Sequence, residues 1–215
     1  TQALNSVVTY FVTTGDMQKA ECIGNKIIAL DPSSNEAKVR GYWYVNGVDP
    51  EGALQNSKFA LASPDTALAG HDIRASAFIL LGNIVDAQKE SDAAVALAPK
   101  NYLGKSLHAM IAAAKGDRAG AEAAIQSFEA DANRNHWAAN RVALCYAKLG
   151  DHDKAMLWTK KSFDLGHHSW NEMIKHPLLT SLQSDPEYQT NLAKIRSDLD
   201  DVPAALHAAQ QWLSK

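Results

Sequence analysis

Small and bulky apolar side chains recur together along this chain, and the polar breaks between them share the same period. A Gly-Asp pair or a variant of it stands at Gly15-Asp16, Val48-Asp49, Gly82-Asn83, Gly116-Asp117 and Gly150-Asp151, in steps of 33, 34, 34 and 34 residues. Seven positions before each break is a residue without a long side chain: Val8, Gly41, Ala75, Ala109 and Ala143. Four before it come Phe11, Tyr44, Phe78, Ala112 and Tyr146, and five after it Ala20, Ala53, Ala87, Ala121 and Ala155. Self-similarity at this period denotes stacked pairs of helices.

The residue types supply the physics. Two antiparallel helices reach the close end of the ~8–10 Å packing range only where both present small side chains at the crossing. The bulky residue one turn on fills the wedge where the pair opens. Each unit then leaves an apolar edge that only its neighbour covers, so the units must stack. Asp16, Asp49, Asp117 and Asp151 are placed to cap the second helix of each pair, with Pro50 at a first helical position and glycine making the turn.

These residues resemble the tetratricopeptide repeat over about 1–168. The resemblance implies an all-α, right-handed superhelical solenoid of five helix pairs, at about 1–33, 34–67, 68–101, 102–135 and 136–168, followed by capping helices over 169–215. Val48 replaces the usual glycine, Ala112 the usual aromatic, and Arg40, Arg74 and His108 stand where apolar residues are usual. In such proteins the first helix of each pair lines a concave groove. Carried over, that places Asn5, Lys38, Asp72, Ser106 and Asn140 in one row and Thr9, Tyr42, Ser76, Met110 and Leu144 in the next. A polar ladder beside a partly apolar one suits an extended peptide or a partner helix, with Tyr42 and Asn140 as anchors. Only Asn35 and Lys38 approach the pattern by which some relatives hold a C-terminal carboxylate, which disfavours a chaperone-tail clamp. Tyr42-Trp43-Tyr44 covers three directions of one helix, so one ring packs inside while another reaches the groove.

After the fifth unit the period fails. Trp170 to Lys175 reads as a short helix stopped before Pro177, and Ser184-Asp185-Pro186 as the start of a helix bearing Tyr188, Leu192, Ile195 and Leu199 on one face. A last helix from about Pro203 carries Leu206, Ala209 and Leu213 with Trp212 beside them. The run from Tyr146 to Leu199, including His176-Pro177-Leu178-Leu179 and Ser184-Asp185-Pro186, is similar to the ends of repeat regions in bacterial signalling proteins. Those regions follow a cyclase, kinase or winged-helix domain, so the resemblance implies a regulatory, partner-binding role.

Composition agrees with helices: the 215 residues include 36 alanines but only 12 glycines and 7 prolines. A formal charge of −3 and a lone adjacent basic pair, Lys160-Lys161, argue against nucleic acid. No stretch has the ~18 apolar residues of a membrane span. Cys22 and Cys145, 123 positions apart, read as unpaired packing thiols, which favours the cytoplasm, or the periplasm if a membrane span lies upstream. Thr1, in place of an initiator methionine, points to a piece of a longer protein.

Signatures of nucleophile, phosphate-loop, dinucleotide and zincin chemistry are missing. The eight histidines are scattered, and His167-His168 reads as a surface or capping pair. The expectation is therefore a non-enzyme, without cofactor or metal, that binds a protein or peptide. Two alternatives stand beside it. The edge at Leu4, Val7, Val8 and Phe11 would drive homodimerisation if left open, and a pocket near Trp170, Met173 and Trp212 would make the protein a small-molecule sensor.

Overall fold

Five of the polar breaks turn the chain back on itself, and each does so in the same way. The computed structural model describes residues 2–200, and every element among them is helical. Helix α1 (Gln2–Thr14) pairs with α2 (Met17–Leu30), and α3 (Asn35–Lys38) and α4 (Gly41–Asn46) precede α5 (Pro50–Leu61). Then come α6 (Ala67–Leu80) with α7 (Ile84–Leu97), α8 (Tyr102–Ala114) with α9 (Arg118–Gln126) and the one-turn α10 (Glu129–Ala132), and α11 (His136–Lys148) with α12 (His152–Asp164). The chain continues through α13 (Trp170–Lys175), a 3-10 turn (Pro177–Leu182) and α14 (Pro186–Asp200).

At each turn Gly15, Val48, Gly82, Gly116 or Gly150 takes a left-handed backbone. The next residue caps the following helix, its side chain accepting from the N–H three positions on. Its own N–H donates to the carbonyl of the bulky position five residues back, from Phe11 to Tyr146, at 2.8–2.9 Å. Thus the break and the bulky residue recur together because one hydrogen-bonded helix end joins them. Val48, at φ 59°, is the only non-glycine in this backbone region among the described residues, a strained choice for a β-branched side chain.

Ala20, Ala53, Ala87, Ala121 and Ala155 are all buried, at 0–1% exposure. Ala121→Leu is expected to cost about 1–3 kcal/mol by overpacking; a shift of the urea midpoint at unchanged slope measures it.

The first helices of successive pairs form an inner row, α1 against α4, α4 against α6, α6 against α8 and α8 against α11. The row does not stay open. Helix α13 packs against α1, and Asn171 Nδ2 donates to the Gly47 carbonyl at 3.1 Å. The approach is close enough that a Cβ on Gly15 would lie 2.8 Å from Asn171 Oδ1. Of the edge expected on the first pair, Leu4, Val8 and Phe11 are buried in a cluster with Ala20, Ile23 and Ile27 of α2, while Val7 is half-buried. Those three residues are therefore not an exposed apolar edge.

The expected first helix of the second pair is broken. The N–H groups of Tyr42 and Trp43 bond to carbonyls three residues back, so Val39 and Arg40 form a tight turn between α3 and α4. Gly41 lets α4 approach α6, for a Cβ there would fall 2.8 Å from Ile73 Cγ2. At the other end α13 and α14 begin where the prolines and caps predict, with Asp185 Oδ1 accepting from the Tyr188 N–H. Tyr188, Leu192, Ile195 and Leu199 are buried. The helix expected from Pro203, with Leu206, Ala209, Trp212 and Leu213, lies outside the described residues. No helix among the described residues is long and apolar enough to cross a membrane.

Candidate ligand-binding cavity

Closure of the inner row leaves a cavity of about 330 Å³, lined from α4, α6, α8, α11 and the α13 end. Six of the ten residues expected in the groove line it: Tyr42, Asp72, Ser76, Met110, Asn140 and Leu144. The other four do not. Asn5 and Thr9 stay on α1, away from the cavity, with the Thr9 hydroxyl donating to the Asn5 backbone carbonyl. Lys38 ends α3, and the turn at Val39 and Arg40 takes it off the face of Tyr42. Ser106 is fully buried behind the wall. In place of two straight ladders, the six residues share one partly open chamber lined from the last four pairs and α13.

A buried ion pair braces the chamber. Arg141 on α11 grips Asp72 on α6 with both terminal nitrogens, each at 2.7 Å. The same Nη1 donates to the Ser106 hydroxyl at 2.7 Å, and the Tyr42 hydroxyl donates to Asp72 Oδ2 at 2.9 Å. Three helices, α4, α6 and α11, meet at one carboxylate that is 0% exposed, and the guanidinium adds α8 through Ser106. Burial disfavours the Arg141 charge, but the adjacent Asp72 outweighs it and holds the guanidinium above its ordinary pKa. Burial and then the Asp72 charge push the Tyr42 hydroxyl well up, so it remains a proton donor.

A second polar cluster holds the closing helix. Asn140 Nδ2 donates to Glu172 Oε1 at 2.9 Å, while His167 Nε2 lies 3.4 Å from Glu172 Oε2. Burial works against the Glu172 charge, yet His167, His176 and the Asn140 amide outweigh it and keep the carboxyl below its usual range. Burial drives His176 down to about 4, against the opposing pull of Glu172. His176 is neutral near pH 7, and its Nδ1 accepts from the Leu178 N–H to start the 3-10 turn. Of the pair expected as surface or capping residues, His168 is exposed, while His167 is buried among the His136 and Trp137 rings.

The remaining walls are largely apolar and aromatic, including Tyr102, Trp137 and Leu144. Of the aromatic triplet, Tyr42 faces this chamber, Trp43 packs over Gly24 of α2, and Tyr44 lies over Gly52 of α5. Of the residues expected around a second pocket, Met173 is fully buried and its carbonyl accepts from Gln183 and Tyr188, and Trp212 lies outside the described residues. Comparison with known proteins finds no matching family model and no matching curated relative. With Asp72 and Arg141 locked on each other, and the Cys145 thiol pushed by burial to about 12, the arrangement is suited to holding a compact guest against a rigid wall.

Arg141 is the main residue that the repeat pattern does not single out, since it lies beside the row containing Asn140 rather than in it. Its signal is chemical: one arginine in the run from Ala138 to Ala147, a stretch with no other charged residue. Glu172 and His176 lie beyond the last repeat, where no period points to them.

Proposed function

We propose that this protein is a non-catalytic binding module whose inner chamber takes a compact, mainly apolar group of a peptide partner, a side chain or a chain end. The observation that carries this reading is the size and bracing of the chamber. At about 330 Å³ it sits at the small end of ligand pockets, roughly 300–1,000 Å³, too small for an extended strand laid along five repeats. The Asp72–Arg141 brace fixes the wall before a guest arrives, which limits the ordering cost of binding. In this reading the five hairpins are tetratricopeptide-like units of a right-handed superhelix, and the chain serves a bacterial signalling protein, as its 146–199 segment suggests.

Enclosure by α13 also favours a second reading, in which a free small molecule occupies the same chamber and the protein acts as a sensor.

Ser76→Leu tests both. It adds bulk to the chamber from α6, one turn from Asp72, and leaves both members of the ion pair in place. The variant is expected to unfold within a few degrees of the wild type, yet to bind peptides selected from a random library roughly tenfold or more weakly, measured by fluorescence polarisation. Peptides that bind the variant as tightly as the wild type would rule out the chamber as their site. A metabolite whose thermal shift disappears in the variant would favour the sensor.

A further inference from the structure

Arg40 is one of the charged residues standing where the repeat pattern is apolar, and the central chamber makes no use of it. It is only 8% exposed. Its Nε donates to Asn56 Oδ1 at 3.0 Å and its Nη1 to the Ala37 carbonyl at 2.7 Å, while the guanidinium stacks 3.1 Å from the centre of the Phe59 ring. All three partners are neutral, and among the described residues Arg40 makes no ion pair. Burial lowers its pKa from the usual arginine range, against a smaller opposing pull from Tyr44.

The next repeat supplies an internal comparison. Thirty-four residues on, Arg74 Nε meets Glu90 Oε1 at 2.6 Å. Glu90 is itself the 34-residue equivalent of Asn56. One register therefore holds an arginine on the same atom twice, once against a carboxylate and once against an amide. A largely desolvated charge without a counter-ion is costly, so the second unit leaves an unmet demand for negative charge.

That demand faces open space. Arg40 lines a second cavity of about 360 Å³ between α2, α4 and α5, together with Asn25, Asn56 and Lys58. The one carboxylate on its wall, Glu21, lies beside the Tyr44 hydroxyl, whose pKa its charge helps to raise. Arg40 and Lys58 against Glu21 leave a surplus of one positive charge. We propose that this cavity is an oxyanion site in which the Arg40 guanidinium, held flat by Phe59, takes a carboxylate or phosphate group. The Arg40 fork supplies charge-assisted hydrogen bonds, and Lys58 adds charge at the rim. Helix α4 separates the two cavities, Tyr42 facing the first and Trp43 and Tyr44 the second, so this site is independent of the proposed function.

The test follows the Arg40 Nε–H resonance in ¹⁵N-labelled protein. Sodium phosphate, sodium acetate, and a short peptide with a free C-terminal carboxylate or its amide are titrated at constant ionic strength against chloride. Saturable shifts with phosphate or acetate are expected; a stronger response to the acid peptide than to its amide would identify a peptide as the source, and a preference for phosphate a free anion. Asn56→Glu reproduces the Arg74–Glu90 arrangement and so is expected to fold. It should stabilise the free protein and weaken anion binding roughly tenfold or more. No saturable shift with any probe, or equal affinity in Asn56→Glu, would overturn the proposal.

Discussion

Arg141→Met is expected to lower the free energy of unfolding by about 3–5 kcal/mol, because it strands a buried charge. Asp72 is 0% exposed and is held by both terminal nitrogens of Arg141 at 2.7 Å. With the guanidinium gone, only the Tyr42 hydroxyl still donates to the carboxylate among the side chains around it. Asp72→Leu alone should be similarly harmful, since it leaves the arginine without its counter-ion. The Asp72→Leu/Arg141→Met pair, however, removes both charges together and should cost far less than the two single losses added. Urea unfolding of the four proteins forms a double-mutant cycle. Additive losses would mean that the ion pair does not brace the chamber. Tyr42→Phe calibrates the cycle, losing one hydrogen bond to a buried carboxylate and about 1.5–3 kcal/mol.

Acid is the second lever, and its sign follows from His176. The histidine is pushed down to about 4 in the folded chain, whereas an unfolded histidine titrates near 6.5. Below about pH 6.5 the unfolded state takes up a proton that the folded state refuses, so stability drains away until about pH 4. A shift of that size corresponds to about 3 kcal/mol. His136, lowered by burial and then by His167, adds in the same direction. Glu172, also held below its usual range, contributes stability that is present above the ordinary carboxylate pKa and lost as the pH falls through its lowered value. The unfolding free energy should therefore fall between pH 7 and pH 4. His176→Asn keeps a side-chain acceptor for the Leu178 N–H but cannot titrate, and should flatten much of that decline. Equal pH slopes for variant and wild type would show that His176 is not the buried neutral group described here.

The hairpins were legible in the sequence because each depends on local chemistry repeated at one period. A left-handed residue, a capping carboxylate and a buried alanine each leave a mark in a single residue type, and Ala20 to Ala155 and Asp16 to Asp151 could be read directly. Half-legible was the chamber. Periodicity put Tyr42, Asp72, Ser76, Met110, Asn140 and Leu144 on one side of the helices, but it assumed five equivalent helices. The turn at Val39 and Arg40 breaks that equivalence and removes Lys38. The closure was not legible, for it depends on contacts 124 residues apart, such as Asn171 with Gly47. Likewise, the pairing of Arg141 with Asp72 joins positions 69 residues apart, and no local pattern connects them.

Whether the inner row truly meets its own end decides whether there is a chamber or an open groove. In a ¹³C-edited spectrum, nuclear Overhauser contacts between the Asn171 β-protons and the Gly15 α-protons measure this most directly. The account predicts those contacts, with slowed solvent exchange of the α13 amides. Resolved signals without the contacts, and α13 amides exchanging as fast as in an unstructured peptide, would contradict it.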